Sequence, residues 1–386
     1  MSIFQSQMIS QILFGEDASM AIGQALQQMR ISKALIITDE FINKAGLTKG
    51  AEGGMQAAGI EVDVFDGAEP ENPTDIIETV AAMVKEKQHQ ALVAIGGGSA
   101  MDLAKSVRIL LANPGTIRDY FDMTKPRQMS MVPMILVPTT AGTSSEISHG
   151  LMMFDRENNR KTGLSGPDLA ATIAVVDPAL CKSLPPRITA VTGFDCLCHA
   201  AEALTCKVNE NAITDMMGVD AVRLVAENLE KVVADGSDME ARTNMSLACL
   251  YAGIAFNNCP PHLAHSIGHT SGAMCHIAHG EACGSVLPMV MEISATAKPN
   301  RVKMVGEVMG VIFDADDTPE VIGKKTADRM RDLYAAVGLK PLKELIKEED
   351  IAPIAAGAMM DPGSFIWPVA LDAAQLEEQL RKEFNR

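Results

Sequence analysis

The first half of the chain alternates short apolar runs with helical patterns. Five runs rich in β-branched and other apolar residues are predicted to be strands: residues 34–38, 61–65, 91–95, 132–137 and 173–176. Between the second and the third, residues 74–87 carry apolar side chains at helical spacing, with Thr74 as the predicted N-cap. Apolar strands separated by helices are typical of a parallel sheet covered on both faces. This half is therefore predicted to be an α/β domain built on a Rossmann-like parallel sheet.

The pattern changes after the adjacent prolines Pro185 and Pro186. Beyond them the sequence has long stretches of helical spacing and no run of β-branched residues flanked by turn signals. We therefore predict that residues 1–184 form an α/β dinucleotide-binding domain. Residues 185–386 are predicted to form an all-helical metal and substrate domain.

Composition and charge narrow the function classes. The 386 residues are 47% hydrophobic and 21% charged, as is usual for globular proteins. A formal net charge of −16 argues against nucleic acid or an anionic membrane as the main partner. No apolar run approaches the ~20 residues of a membrane span, and the start lacks the pattern of a signal peptide, so a cytoplasmic protein is predicted. The eight cysteines are predicted to be reduced and packed, since they form no disulfide framework in so long a chain.

Two stretches predict a phosphate-binding edge of the sheet. Residues 96–99 (GGGS) follow the third predicted strand and open a helix, whose backbone N–H groups suit a pyrophosphate. Residues 137–146 (VPTTAGTSSE) follow the fourth strand and carry five hydroxyls. Asp39 closes the first strand, where a carboxylate can bind both ribose hydroxyls of adenosine and repel a 2′-phosphate. Taken singly, the glycines also fit a tight strand–helix turn, and Asp39 fits an ordinary polar loop.

Histidine is concentrated in one segment, since five of the eight lie between residues 262 and 279. His265 and His269 are four apart and share a helical face, as do Asp195 and His199. Two such pairs on neighbouring helices can converge, and imidazoles with a carboxylate suit Fe(II), Zn(II), Mn(II) or Co(II). The alternatives are core histidines bonded to backbone carbonyls and a thiolate zinc site. The second is disfavoured because the cysteines at 196 and 198 lack C-x-x-C spacing.

Together these motifs resemble the iron-dependent (group III) alcohol dehydrogenases. The resemblance covers essentially the whole chain and rests on IGGGSAMDLAK, PTTAGTSSE, the EPENPT of 69–74, the Asp195/His199 pair, HSIGH and AHG, in that order. It implies a divalent metal held by Asp195, His199, His265 and His279, with His269 lining the catalytic pocket. It also implies a cofactor site that includes Asp39, Asn72, Gly97, Gly98, Ser99, Asp102, Thr139, Thr140, Thr143 and Lys161, with Asp39 selecting NAD over NADP.

The activity that the resemblance implies is a metal-dependent, NAD(H)-linked interconversion of a small primary alcohol and its aldehyde. Fe(II) is the expected metal, with Zn(II) or Mn(II) as alternatives, and His269 would relay the proton. The expected direction is aldehyde reduction, in a homodimer or larger homo-oligomer, with His276 as a structural residue. The alternatives are a glycerol dehydrogenase-like or dehydroquinate synthase-like enzyme of the same two-domain plan, or a non-enzymatic metal or nucleotide sensor.

The sequence departs from the family pattern where substrate specificity is expected. Residues 257–265 read NNCPPHLAH in place of N-x-G-L-G before the ligand histidine, which adds His262 one helical turn upstream. Near the C-terminus, GSFIWPVA (363–370) replaces N-P-R. We therefore expect His149, Gly150, Phe256, His262 and Gly363 to be substrate residues, with His262 facing the substrate cleft. Two additional histidines would suit a polar or anionic aldehyde such as sulfoacetaldehyde.

Overall fold

The computed structural model describes residues 4, 6, 10–122, 124–158 and 160–386, and the chain divides into two compact units. Of the described residues, the α/β unit contains 10–140 and the segment Ser144–Cys181. The helical unit contains Lys182–Arg386 together with Ala141–Thr143 and residues 4 and 6. The sequence predicted a boundary between residues 184 and 185, and a single linear boundary could not assign Ala141–Thr143 to the second unit.

The α/β unit is built on a six-stranded parallel sheet with the order β1-β8-β5-β4-β2-β3, beside a separate antiparallel hairpin formed by β6 and β7. The strands are β1 (Gln11–Phe14), β2 (Lys33–Ile37), β3 (Glu61–Phe65), β4 (Ala91–Gly96), β5 (Met134–Pro138), β6 (Gly150–Asp155), β7 (Arg160–Ser165) and β8 (Ile173–Val176). The helices are α1 (Ile22–Gln28), α2 (Glu40–Lys44), α3 (Lys49–Ala57), α4 (Thr74–Lys87) and α5 (Gly98–Ala112).

All five predicted strands are present, as β2, β3, β4, β5 and β8. Helix α4 also forms over residues 74–87, but its N-cap is Pro73 rather than Thr74, which is the first helical residue. The sequence missed β1, a four-residue strand with exposed ends, and the β6–β7 hairpin. The hairpin was hidden because GLMMFD and RKTGLS contain few β-branched residues, although burial alternates along β6.

Strand β2 shows why the sheet is covered on both faces. Its side chains alternate, so that Leu35 and Ile37 pack into one core and Ala34 and Ile36 into the other. From β2 the chain moves to β3 on one side and then to β4 on the other. The order of strands therefore reverses at β2, and ligands of open parallel sheets bind at the carboxyl ends of the strands at such a point.

In the helical unit, the described residues form helices and turns and contain no strand. The helices are α6 (Pro186–Thr205), α7 (Ala212–Ala234), α8 (Met239–Asn258), α9 (Leu263–Cys275), α10 (His279–Ser294), α11 (Pro299–Val308), α12 (Pro319–Ala336), α13 (Leu342–Leu345), α14 (Ile351–Ala358) and α15 (Ala373–Phe384). Helix α6 is buried along almost its whole length, as is the first half of α10. Among the described residues, no helix has the length and apolar character needed to cross a membrane.

Candidate metal centre and nucleotide cradle

Three helices carry the polar side chains of the candidate metal centre. Helix α6 holds Asp195 and His199 one turn apart, helix α9 holds His265 and His269 one turn apart, and α10 begins at His279. The i, i+4 spacing places each pair on one helical face. The structure therefore brings the sequence-predicted metal and catalytic residues onto three helices of a single unit.

Glycines allow α10 to approach both other helices. A Cβ at Gly280 would lie 2.2 Å from the carbonyl oxygen of Val191 on α6, and a Cβ at Gly268 on α9 would lie 2.3 Å from Sγ of Cys283. Neither position can accept a side chain without a shift of its neighbours. The absence of these two side chains is what places His279 beside Asp195.

Asp195, His265, His279 and Cys283 form a compact group, with one potential ligand atom of each residue lying within 4.8 Å of the others. Oδ1 of Asp195 lies 3.8 Å from Nε2 of His265 and 3.6 Å from Nε2 of His279. Sγ of Cys283 lies 3.8 Å from both ring nitrogens of His279. In a tetrahedral site, two ligand atoms are separated by about 1.6 times the metal–ligand bond, which is ~2.0–2.3 Å long. The observed separations are close to this distance.

Two buried atoms of this group are suited to bind a cation. Within the described part of the chain, Oδ1 of Asp195 and Nε2 of His265 have no hydrogen-bond partner, although both are buried. A carboxylate oxygen and an imidazole nitrogen left unpaired in a protein interior are costly unless a ligand satisfies them. An oxygen, two nitrogens and a sulfur suit a borderline divalent metal such as Zn(II), Fe(II) or Co(II). The residues therefore fit a divalent metal.

Cys283 is a residue that sequence reasoning missed. The search for C-x-x-C spacing does not detect Cys283. This residue belongs to the compact ligand group because it lies one turn after His279 on α10. Burial raises the pKa of its thiol well above the ordinary value, so the side chain is a neutral thiol when no cation is bound. The i, i+4 spacing to a predicted ligand histidine was the available signal.

His199 lies beside this compact group. Its ring centroid is 4.5 Å from that of His265, and its Nδ1 donates a hydrogen bond of 3.2 Å to the carbonyl oxygen of Gly142. Burial lowers the pKa of His199 well below its ordinary value, which keeps the ring neutral. A neutral ring with Nδ1 protonated leaves Nε2 as the nitrogen with a free lone pair for a metal. The predicted role of His199 as a ligand remains a prediction.

His262 does not face a substrate cleft, and this sequence-based expectation was wrong. The residue is fully buried at the N-terminus of α9, where Nδ1 lies 2.9 Å from Oε1 of Glu202 and Nε2 lies 2.9 Å from Oγ1 of Thr205. Helical spacing correctly placed it one turn before His265. It could not reveal that Glu202, on the neighbouring α6, would occupy that side of the helix.

His269 lies at the open side of the centre. Its side chain is 35% exposed and that of His279 is 39% exposed, whereas those of Asp195 and His265 are buried. Nδ1 of His269 donates to Oδ2 of Asp361 at 2.9 Å, and the ring stacks on that of His279 at a centroid distance of 5.4 Å. A carboxylate that accepts from Nδ1 leaves Nε2 as the unprotonated nitrogen of a neutral His269 ring.

Asp361 was also missed from the sequence. Its Oδ1 accepts hydrogen bonds from the amide of Gly363 at 2.8 Å and from Oγ of Ser266 at 3.0 Å. A Cβ at Gly363 would lie 2.7 Å from Oγ of Ser266, so this glycine supports the carboxylate that backs His269. His276 ends α9 as its C-cap in the left-handed conformation with φ 55°, in keeping with a structural residue.

The α/β unit contains a cleft of about 720 Å³ at the carboxyl ends of β2, β3 and β4, which we term the cradle. Four residues of the predicted cofactor set line it: Asp39, Gly97, Gly98 and Ser99. Oδ1 of Asp39 accepts a hydrogen bond from the Ile42 amide at 2.9 Å and so caps α2. The cleft lies at the strand-order reversal of the sheet and at the N-terminus of α5, where the helix dipole favours a phosphate.

Three of the predicted cofactor residues lie elsewhere in the α/β unit. Asn72 is buried, and its Nδ2 donates to Oγ of Ser106 and to the carbonyl oxygen of Met152. The Asp102 carboxylate accepts from Oγ of Ser145 at 2.7 Å and from the Met152 amide at 2.9 Å, which favours a structural role. Lys161 forms a surface ion pair of 3.3 Å with Glu71.

The remaining predicted residues are distributed over both units. Thr139 and Thr140 follow β5, and the Thr139 amide donates to the carbonyl of Gly96 at 3.0 Å. Thr143 belongs to the helical unit. His149 is partly buried, and its carbonyl accepts from the Gly166 amide. The carbonyl of Gly150 accepts from Nζ of Lys105 at 2.7 Å. Phe256 places its ring 4.6 Å from that of His199.

Comparison with known proteins agrees with this geometry. The family model described as iron-containing alcohol dehydrogenase matches residues 10–178, and its C-terminal counterpart matches residues 189–384. Choline dehydrogenase of Bacillus subtilis (strain 168) is 33% identical over 94% of this chain and 90% of its own. A crystal structure of a 1,3-propanediol oxidoreductase superposes with a TM-score of 0.94 at 30% identity, over 99% of this chain and 100% of the other. Sulfoacetaldehyde reductase from Bifidobacterium kashiwanohense in complex with NAD+ gives 0.91 at 27% identity, over 100% and 99%.

The chain belongs to the iron-containing alcohol dehydrogenase family. It is therefore an NAD-linked alcohol and aldehyde oxidoreductase, and its helical unit contains a group of residues that could hold a metal ion.

Proposed function

We propose that this enzyme reduces a small aldehyde to its primary alcohol with NADH at a divalent metal held by Asp195, His199, His265 and His279. The observation that carries the proposal is the convergence of Asp195, His265 and His279 with two buried ligand atoms that have no partner among the described residues. A bound divalent ion supplies a Lewis acid for the oxygen of the aldehyde or alcohol. Proton transfer is assigned to a side chain of the centre, and cofactor binding is assigned to the cradle.

His269 is the proposed proton carrier. Its exposure and its contact with Asp361 leave Nε2 free on the side of the centre that solvent and substrate can reach. An imidazole whose other nitrogen is held by a carboxylate is suited to exchange a proton with an alcohol oxygen, directly or through one water. His279 packs against the same ring and limits its rotation.

The cradle at β2–β4 is the proposed site of the adenosine and pyrophosphate of NAD. Gly97, Gly98 and Ser99 line it where the amides of α5 begin, and Asp39 lines its ribose end. A carboxylate at that position favours NAD, since it would repel the 2′-phosphate of NADP.

The proposed substrate class is a short aldehyde, with sulfoacetaldehyde among the candidates. The three relatives compared above act on choline, a propanediol and sulfoacetaldehyde by their names, so the charge beside the reacting group varies within the family while the reaction does not. The burial of His262 removes one of the two additional histidines on which an anionic substrate had been predicted. His149 is the other, and burial lowers its pKa, so it is a neutral partner at neutral pH.

An NADH-linked screen tests the proposal. Metal-stripped protein is reloaded with Fe(II), Zn(II) or Mn(II) and assayed with sulfoacetaldehyde, propanal, 3-hydroxypropanal and betaine aldehyde, with each alcohol assayed in reverse. We expect turnover that depends on the added metal and prefers NADH to NADPH. Metal-independent turnover, or none with any aldehyde or alcohol, would contradict the proposal.

A further inference from the structure

A buried carboxylate stands directly behind one of the metal-binding histidines. Glu202 on α6 is fully buried, and its Oε2 accepts a hydrogen bond from Nδ1 of His265. Its Oε1 accepts a hydrogen bond of 2.6 Å from the amide of Ala264. Glu202 therefore contacts α9 at two successive residues, one through the side chain and one through the backbone.

His262 contacts the Oε1 atom of this carboxylate. Its Nδ1 has two neighbours, Oε1 of Glu202 at 2.9 Å and the amide of Leu263 at 2.8 Å, which compete for the same nitrogen. We assign the proton to Nδ1, which donates to the carboxylate, because a charge-assisted hydrogen bond is about twice as strong as a neutral one. The Leu263 amide lies there because it is the next residue in the chain. Nε2 of His262 lies 2.9 Å from Oγ1 of Thr205, so both ring nitrogens have a partner.

The burial of Glu202 needs an explanation beyond fold stability. An ionised carboxylate in a protein interior is costly, and a hydrophobic residue of similar size is often as stable or more so. Each oxygen of Glu202 has a nitrogen partner, Oε2 on His265 and Oε1 on the Ala264 amide and His262, an arrangement that suits a carboxylate. Its charge is therefore directed at the one nitrogen of His265 that does not face Asp195.

We propose that Glu202, held in place by His262, is a positioning residue that orients His265 and strengthens its bond to the metal. With Nδ1–H donated to Glu202, the unprotonated nitrogen of His265 is Nε2, the atom that lies 3.8 Å from Asp195 and has no partner among the described residues. A carboxylate on the far nitrogen fixes the tautomer and raises the basicity of a ligand histidine. His199 offers the contrast, because its Nδ1 donates to the neutral carbonyl of Gly142.

This inference rests on the proposed function only in that a divalent ion occupies the centre. The test is the Kd for Zn(II), measured by competition with a chromophoric chelator in the absence of NADH and aldehyde. Glu202→Gln should raise this Kd by about 10- to 100-fold, because the amide has one acceptor oxygen for the N–H groups that two oxygens now serve. His262→Leu should raise it by a smaller factor, and His262→Gln, which retains an N–H donor, should restore part of the loss.

The control is Glu383→Gln, which neutralises another buried carboxylate of the helical unit, paired with Arg331 and remote in sequence from the centre. It should leave the Kd for Zn(II) at the wild-type value. A wild-type Kd in folded Glu202→Gln would overturn the inference. Should that variant fail to fold, a wild-type Kd in His262→Leu would overturn it equally.

The two proposals fail in different ways. Tight Zn(II) binding that weakens in Glu202→Gln, without turnover of any aldehyde, contradicts the proposed function and leaves the positioning role intact. Metal-dependent turnover with an unchanged Kd for Zn(II) in Glu202→Gln contradicts the positioning role and leaves the proposed function intact.

Discussion

The nucleotide cradle and the metal centre are built by opposite means. The cradle is a cleft at strand ends, lined by glycines, a serine and a loop carboxylate, and its contacts to a ligand would come mostly from the backbone. The metal centre consists of side chains on three packed helices, most of them buried and several fixed by a second hydrogen bond. Backbone contacts are spread over many atoms, whereas each side chain of the metal centre supplies one atom that no neighbour can replace. We therefore expect substitutions in the cradle to have graded effects and those in the metal centre to have nearly complete ones.

The largest expected effect is the loss of a metal ligand. Asp195→Ala or His265→Ala should abolish bound metal and reduce kcat/KM by about 10³-fold or more, since several kcal/mol of Lewis-acid stabilisation are lost. Elemental analysis of the purified variants, with kinetics, measures both. Cys283→Ala separates the two candidates for the fourth ligand: because we assign that place to His199, this variant should retain metal. Wild-type metal content in both ligand variants would rule out this centre.

A pair of glycine substitutions compares the two regions directly. Gly280→Ala places a Cβ 2.2 Å from the Val191 carbonyl, which forces α10 away from α6 and should cost about 1–3 kcal/mol of stability together with most of the bound metal. Gly97→Ala meets no atom of the described residues within 4 Å and has an ordinary φ of −76°. It should leave stability within about 0.5 kcal/mol of wild type and raise only the KM for NADH. Thermal unfolding and metal analysis of both variants measure these effects. Equal destabilisation of Gly280→Ala and Gly97→Ala would contradict the expected difference between the two regions.

Asp361→Asn should have an intermediate effect. The amide cannot hold Nδ1–H of His269 with a charge, so a fraction of the rings adopts the wrong orientation or tautomer, and kcat should fall by about 10- to 100-fold. The metal content and the KM for NADH should not change, because Asp361 is neither a member of the compact ligand group nor among the described residues that line the cleft. Steady-state kinetics on metal-replete protein measures the change. A loss of metal in this variant would show that Asp361 supports the centre rather than His269.

The sequence predicted those parts of the site that depend on spacing along one element. The i, i+4 pairs on α6 and α9, the glycine loop after β4 and the five buried strands all follow from local periodicity, and the structure contains them. Glu202 and Asp361 could not be found in this way. Glu202 meets His265 at a separation of 63 residues and Asp361 meets His269 at 92, and nothing in either local pattern encodes these contacts. The error at His262 has the same cause, because periodicity gives the face of a helix but not the neighbour that covers it.

In the cradle, Asp39 should discriminate between cofactors. Asp39→Gly removes the bonds to the ribose hydroxyls and the repulsion of a 2′-phosphate, each worth on the order of 1–3 kcal/mol, and should shift the NAD-to-NADP ratio of kcat/KM about tenfold or more. Because Asp39 also caps α2, Asp39→Asn is the matched variant that keeps the cap and removes only the charge. A ratio within about twofold of wild type for Asp39→Gly would exclude Asp39 as the discriminator.

The smallest expected effect concerns His262 and the substrate. Because the side chain is fully buried against Glu202 and Thr205, it has no surface with which to touch an aldehyde. In metal-saturated His262→Gln, the ratio of kcat/KM for sulfoacetaldehyde to that for propanal should therefore stay within about twofold of wild type, less than ~0.4 kcal/mol. Saturating metal is essential, since a weaker metal site would lower activity with both aldehydes equally and leave the ratio unchanged. A selective loss with sulfoacetaldehyde would mean that His262 reaches the substrate after all, and that the helix start at Leu263 rearranges when an anionic aldehyde binds.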